Sequence, residues 1–401
     1  MAFEPVFNLA DLDGNNGFVI NGIDGDDGSG ISVSSAGDIN GDGIDDLIID
    51  ASGAQPNGND GAGESYIVFG RAEGFDAALE LSALDGSNGF VINGIDERDF
   101  SGSSVSGAGD INGDGLADLI IGAPLAAPNG KDRAGESYVV FGQAEGFEAA
   151  MELSALDGRN GFVINGIDAD DESGSSVSGA GDINGDGLAD LIIGAEDAAP
   201  NGKDRAGESY VVFGRSGGFE AALELSALDG TNGFVINGID ERDRSGLAVS
   251  SAGDVNGDGL DDLIIGAYGA DPNGNNGAGE SYVVFGQAED FETALELSQL
   301  DGSNGFVING IGRFDFSGFA VSSAGDINGD GLDDLIIGAF FADPNGNNNA
   351  GESYVVFGRA EGFEAAIELS ALDGTNGFVI NGIDERDRSG LAVSSAGDVN
   401  G

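Results

Sequence analysis

An all-β propeller of four-stranded antiparallel blades is the fold class that this sequence predicts, on three observations. An acidic loop returns at a constant step of about 72 residues. Four short apolar runs, each closed by turn chemistry, accompany every copy of it. The order of those runs leaves one spare strand at the N-terminus. A fixed period of this size means stacked or radially arranged supersecondary units, and four short strands per unit mean blades.

The elements follow in order within each unit. GFVINGI at 89–95 is a β-rich run ended by Gly and Asp, and SVSGAGD at 104–110 is a second run that leads into the acidic loop. DLIIGA at 118–123 is wholly apolar after its aspartate, ESYVVFG at 136–142 is the fourth run, and PNG and KDRAG lie between the last two as turn chemistry. FEAAMELSAL at 147–156 fits a brief helix or an extended linker, and its spacing does not choose between them. FVINGI at 18–23 precedes the first acidic loop and is the spare strand with which a propeller commonly closes.

One propeller is expected over 1–401, in units of about 3–74, 75–146, 147–218, 219–290 and 291–362, with a partial unit at 363–401. Residues 371–401 repeat 227–257 identically and stop inside the sixth acidic loop, so the chain reads as a truncated piece of a larger ring.

Composition narrows the function. The chain has 401 residues, 40% of them hydrophobic, with 74 glycines and 24 phenylalanines. No apolar run approaches the ~20 residues of a membrane-spanning helix, so membrane insertion is not expected. Lys and Arg total 14 against 72 Asp and Glu, a net charge of -58, which excludes nucleic acid and disfavours anionic membranes as partners. With no Cys and no His, disulfides, thiolate or imidazole catalysis and the usual zinc, copper and iron ligands are absent. The N-terminal stretch shows no signal peptide. Catalysis has little support, and the lack of Trp weakens a sugar-binding reading.

The acidic loop is where chemistry concentrates. In GDINGDGIDDLIID, Asp38, Asn40, Asp42 and Asp46 take positions 1, 3, 5 and 9, and the backbone carbonyl of Ile44 fills position 7. The same set recurs as Asp110, Asn112, Asp114, Leu116 and Asp118, and as Asp182, Asn184, Asp186, Leu188 and Asp190. It continues as Asp254, Asn256, Asp258, Leu260 and Asp262, then Asp326, Asn328, Asp330, Leu332 and Asp334, and it opens once more at Asp398 and Asn400. Alternate side chains of a tight turn converge, the glycine at position 6 permits the bend, and oxygen-only ligation suits a hard cation. Ligand count and loop flexibility favour Ca²⁺ over Mg²⁺. It is no EF-hand, because position 12 is an isoleucine in every complete copy (Ile49 in the first) rather than a bidentate glutamate.

The ions are expected to be structural staples. With Kd near ~10⁻⁴ M and about millimolar calcium, each adds roughly 1.4 kcal/mol, and five add about 7 kcal/mol. That places the protein where calcium is plentiful, in the medium or at the cell surface.

With strands and loop in place, the repeat resembles the FG-GAP repeat of integrin α-chain propellers. The "FG" is Phe141-Gly142 and its equivalents Phe69-Gly70 and Phe213-Gly214. The "GAP" is complete only at Gly122-Ala123-Pro124, and the first unit reads Asp50-Ala51-Ser52 there, which leaves the packing of the first blade in question. The Asp-x-Asn-x-Asp-Gly-x-x-Asp pattern matches in all five complete units. The resemblance implies a propeller, seven-bladed in integrins, with structural calcium on one face, of the bacterial surface or secreted kind with near-identical repeats. It implies adhesion or extracellular protein–protein interaction with an unidentified protein or matrix ligand. The alternative is an accessory propeller of a larger secreted enzyme, a phospholipase or polysaccharide-degrading enzyme, with its catalytic domain elsewhere. Oligomeric state stays open.

Three further features are weighed. Asp99-x-Ser101-x-Ser103 and Asp171-x-Ser173-x-Ser175 match an adhesion-site signature, but sister units put Leu247 and Phe319 at the third position, so strand is the better reading. Lys131-Arg133 and Lys203-Arg205 read as charge balance beside the acidic loops. The variable residues 96–103 and 124–133 and their equivalents are the better candidates for partner recognition, since loops on a rigid scaffold carry specificity.

Overall fold

The computed structural model describes residues 7–288 and 291–397. The spare strand β1 (Val19–Asn21) is followed by β2 (Val33–Gly37), β3 (Asp46–Ala51), β4 (Glu64–Val68), β5 (Ala78–Glu80) and β6 (Gly89–Asn93). Strands β2, β3, β4 and β6 lie side by side as an antiparallel sheet, the first blade. The pattern recurs in Ser104–Gly109, Asp118–Ala123, Glu136–Val140 and Gly161–Asn165, and in three further sheets whose innermost strands are Ser176–Gly181, Ala248–Gly253 and Ala320–Gly325. The described residues contain no α-helix, and none of their elements is long and apolar enough to cross a membrane as a helix.

The segment left undecided between helix and linker is neither. Ala150–Glu152 is a short strand that pairs in parallel with β6, and Leu153–Ala155 closes it as a 3₁₀ turn. Each of the first four blades thus receives a fifth, outermost strand from the next unit. Aromatic packing sets the register of that addition. Phe147 stacks on Phe90 at 4.2 Å between ring centroids, and Phe162–Phe219, Phe234–Phe291 and Phe306–Phe363 repeat the contact. The N-terminal β1 takes part in the same kind of pair, parallel to β5.

Both faces of an inner blade are buried, which explains the continuous apolar run of its second strand. In that strand of the second blade, Leu119 and Ile121 pack with Ile48, Phe69 and Phe90 of the first blade, while Ile120 packs with Leu191, Ile193 and Tyr210 of the third. Side chains alternate between faces along a strand, so one DLIIGA serves two interfaces. Val33 is 63% exposed and Leu47 38% on the outward face of the first blade, against 5% and 0% for the equivalent Val105 and Leu119.

Innermost strands of neighbouring blades are tied directly. The hydroxyl oxygens of Ser32, Ser104 and Ser176 accept from the backbone N–H of Val105, Val177 and Val249 at 3.0–3.1 Å. Each innermost strand ends in a bulge at a glycine, Gly37 in the first blade with φ +65° and Gly109 in the second with φ +70°. A left-handed glycine in a bulge re-aims the chain, and here it turns the strand into the acidic loop.

Candidate metal centres

Because the strands of a blade form an antiparallel meander, successive connections alternate between its two ends. The acidic loop shares one end with the Phe-Gly segment, and the Pro-Asn-Gly loop shares the other with the connector to the next blade.

The first acidic loop is built by its own side chains. Asp38 Oδ1 accepts from the N–H of Gly41 at 2.8 Å and of Asp42 at 3.0 Å, and Oδ2 accepts from Gly43 at 2.8 Å. Asn40 Oδ1 accepts from Asp42, and Asp42 Oδ1 from Ile44, both at 2.9 Å. The side chains at positions 1, 3 and 5 therefore fold inward over one turn, as short polar side chains do when they bond their own backbone. The same bonds recur in the loops at 110, 182, 254 and 326.

Position 9 is different in kind. Asp46, Asp118, Asp190, Asp262 and Asp334 each open the second strand of a blade and are almost wholly buried. In the third blade, Asp190 Oδ1 accepts from Gly214 N–H at 2.9 Å and Oδ2 from Ile183 N–H at 3.1 Å. Gly214 belongs to Phe213-Gly214, and every Phe-Gly glycine makes the equivalent bond. Only glycine fits there, since a Cβ on Gly214 would run into the carbonyl oxygen of Ala189. The side chains at positions 3 and 9 also meet, with Asn184 Nδ2 3.4 Å from Asp190 Oδ1 and similar approaches at Asn112, Asn256 and Asn328.

Burial pushes the carboxyl of Asp46 up to about 6, those of Asp118 and Asp190 to about 7 and that of Asp262 to about 8. Two backbone N–H donors pull each back, and the aspartates at positions 1 and 5 add to the rise. No lysine or arginine lies in any of the five loops. A cation beside such a carboxyl offsets both burial and like charge. As the carboxylates stand, turned onto their backbone, no three acidic side chains among the described residues are gathered tightly enough to enclose an ion. The donor set nonetheless fits a hard cation in kind, with three carboxylates, an amide oxygen and the carbonyl at position 7. At position 12, Ile121, Ile193, Ile265 and Ile337 are buried between neighbouring blades, and Ile49 is buried on the outward face of the first blade with Tyr66, Val68 and Leu79. Asp398 and Asn400 lie outside the described residues.

Sequence reasoning missed position 8. Asp261 and Asp333 stand where earlier units have Asp45, Ala117 and Ala189, and their carboxylates reach the preceding loop, accepting from Asp182 N–H at 2.8 Å and Asp254 N–H at 3.0 Å. The change from alanine to aspartate between otherwise matching units was the available signal.

The remaining features resolve as follows. Asp50 is buried; its Oδ1 accepts from Gly30 N–H at 3.0 Å and Ser32 N–H at 2.9 Å, while its Oδ2 is buried without a hydrogen-bond partner, so the first blade satisfies half of the carboxylate. Asp99 and Ser101 are buried in the connector, and the Ser103 hydroxyl donates to the carbonyl of Phe100. The basic pairs do balance charge, but at the end of the blades opposite the acidic loops. Lys131 and Lys203 lie 3.6 Å from Asp168 and Asp240 of the next connector, and Arg133 pairs with Glu172. The physical reason is the alternation of loop ends along the meander.

Comparison with known proteins agrees with this geometry. The FG-GAP repeat family model matches residues 29–68, 101–140, 173–212, 245–284 and 317–356. The chain is 28% identical over 242 residues to integrin alpha pat-2 of Caenorhabditis elegans, covering 59% of this chain and 17% of that protein. It is 30% identical over 247 residues to integrin alpha-V of Gallus gallus, covering 60% of this chain and 20% of that protein. It is also 29% identical over 200 residues to phosphatidylinositol-glycan-specific phospholipase D of Bos taurus, covering 50% of this chain and 22% of that protein. The matches thus span about a fifth of the relatives' length. With five family matches in phase with five acidic loops and blades, the chain belongs to the FG-GAP repeat proteins and has the integrin α-like propeller architecture.

Proposed function

We propose that this chain is a calcium-stiffened propeller that presents its loops to protein ligands outside the cell, in adhesion or extracellular protein–protein interaction. One observation carries the reading. Five oxygen-only loops, each closed by a buried aspartate that also holds the Phe-Gly glycine, lie in a chain of net charge -58 with no basic side chain in any of them. Asp38, Asn40, Asp42 and Asp46, with the carbonyl of Ile44, would hold the first ion, and the four sister sets would hold theirs. Calcium supplies positive charge where the loop carboxylates repel, and it pins the hairpin between the first two strands of a blade. Catalysis has no place in this reading. The integrin relatives support a recognition role, and millimolar calcium supports an extracellular setting.

Isothermal titration of metal-stripped protein with calcium, with a melting curve at each end, tests it. About five ions per chain and a large rise in melting temperature are expected. No binding and unchanged melting would overturn both the metal sites and the extracellular assignment.

The bovine phospholipase D relative favours a second reading, an accessory propeller attached to a secreted enzyme. Sequencing the whole reading frame separates the two, because a non-repeat domain rich in His or Glu is needed only by the second.

A further inference from the structure

The end of the blades opposite the acidic loops differs most from unit to unit. In the third unit, Glu196 and Asp197 follow the second strand, and Arg244 of the next connector pairs with them at 3.1 and 3.3 Å. Two units on, the equivalent Arg388 is retained, but the acidic positions have become Phe340 and Phe341. Arg388 now lies over the Phe341 ring, 5.0 Å from its centroid, and forms no ion pair among the described residues.

The connector before that blade has changed in the same sense. Where the other connectors read DGDD, DERD or DADD, this one reads GRFD at 312–315, so Gly312 replaces an aspartate and Phe314 replaces Asp26, Arg98, Asp170, Arg242 or Arg386. Phe314 is 48% exposed and sits at φ +64°, a left-handed conformation that Arg98, Asp170, Arg242 and Arg386 share. The backbone is therefore common to these five connectors, and the exposed ring is particular to this one. Phe316 gathers the rings, with Phe341 at 5.6 Å, Phe314 at 6.1 Å and Phe340 at 6.2 Å. Phe319 packs on Phe340 at 4.5 Å.

We propose that Phe314, Phe316, Phe341 and Arg388 form a docking surface for a protein segment that lays an aromatic or aliphatic side chain on the rings and sets a carboxylate on Arg388. The occupant follows from charge complementarity. The same guanidinium binds two carboxylates within the chain at Arg244 and has lost both at Arg388, while a ring at its face leaves its N–H edge free for a bidentate anion. Exposed aromatics beside arginine are the composition of interface anchors. The inference rests on the recognition role proposed above and gives that role a location and a ligand chemistry.

The test is fluorescence anisotropy of dye-labelled hexapeptides in calcium buffer at physiological salt. One peptide alternates aspartate and phenylalanine, a second has asparagine for aspartate, and a third has alanine for phenylalanine. The acidic aromatic peptide is expected to bind at least tenfold more tightly than either control. Phe314→Ser, an exposed change that leaves the core intact, is expected to weaken it at least fivefold, and Arg388→Gln to erase the preference over the asparagine peptide. Equal binding of all three peptides, or a preference that both variants retain, would overturn the proposal. Selective peptide binding by protein that takes up no calcium would sink the calcium reading and leave this one standing.

Discussion

Replacing Asp190 by asparagine separates the two roles that a position-9 aspartate is asked to fill. Its carboxylate accepts from Gly214 and Ile183 N–H inside a fully buried pocket and, in the proposed function, also binds an ion. Asparagine keeps the shape and one acceptor oxygen, so one buried N–H loses its partner, at a cost of about 1–3 kcal/mol. That cost is the same with or without calcium. Loss of one ion of Kd near ~10⁻⁴ M at about millimolar calcium removes a further roughly 1.4 kcal/mol, and only when calcium is present. The quantity to measure is therefore a difference of differences. Unfolding free energies of wild type and Asp190→Asn are compared in calcium and in chelator by denaturant titration. The variant should lose about 1.4 kcal/mol more in calcium, and titration should count one ion fewer. Equal destabilisation in both media would mean that Asp190 is a hydrogen-bond acceptor only, and the ligand assignment would fall at all five loops.

Two further outcomes follow from the buried groups. Burial raises Asp99 to about 6 and Asp171 and Asp243 to about 7, from an ordinary value of 3.8, and all three lie away from the acidic loops. A folded value above the unfolded one means stability fully present below about pH 4 and lost as pH rises through 6 to 7. With calcium saturating, the melting temperature should therefore fall between pH 5 and pH 8, and fall less in Asp171→Asn; an equal fall in the variant would refute the assignment. Gly194→Ala should cost about 1–3 kcal/mol or more by overpacking, because the new Cβ meets the carbonyl oxygen of Gly246, whereas Gly217→Ala, with open space around it, should be near neutral in the same denaturant titration.

What could be read from the sequence was short-range. A loop whose acidic side chains lie within nine positions, and strands announced by DLIIGA or ESYVV, need no knowledge of what they pack against. The fifth strand could not be read that way. Ala150–Glu152 owes its state to β6, with Ala150 paired to Val91, and nothing in FEAAMEL names that partner. The basic pairs were recognised as charge balance but assigned to the wrong end, because the end depends on counting strands through the meander. Asp50 looked like a lapse from the repeat and proves to be a buried acceptor for two N–H groups. In each case the missing information was a contact across blades or across a connector.

The same cross-blade contacts bear on what bound ions would do. The carbonyl at position 1 of one loop accepts from position 8 of the next, in Ala117 to Asp38, Ala189 to Asp110, Asp261 to Asp182 and Asp333 to Asp254. The carbonyl at position 2 accepts from the residue after the next Phe-Gly, as in Gln143 to Ile39 and Arg215 to Ile111. Backbone bonds therefore run from loop to loop along one end of the blades. A cation that fixed the turn at Asp110 would also fix the carbonyl that the loop at Asp182 needs. Stiffening would then pass between blades even though each ion touches only its own nine residues. Such coupling favours a recognition scaffold over a set of independent hairpins, since the opposite end carries the variable connectors and gains from a frame that does not shear.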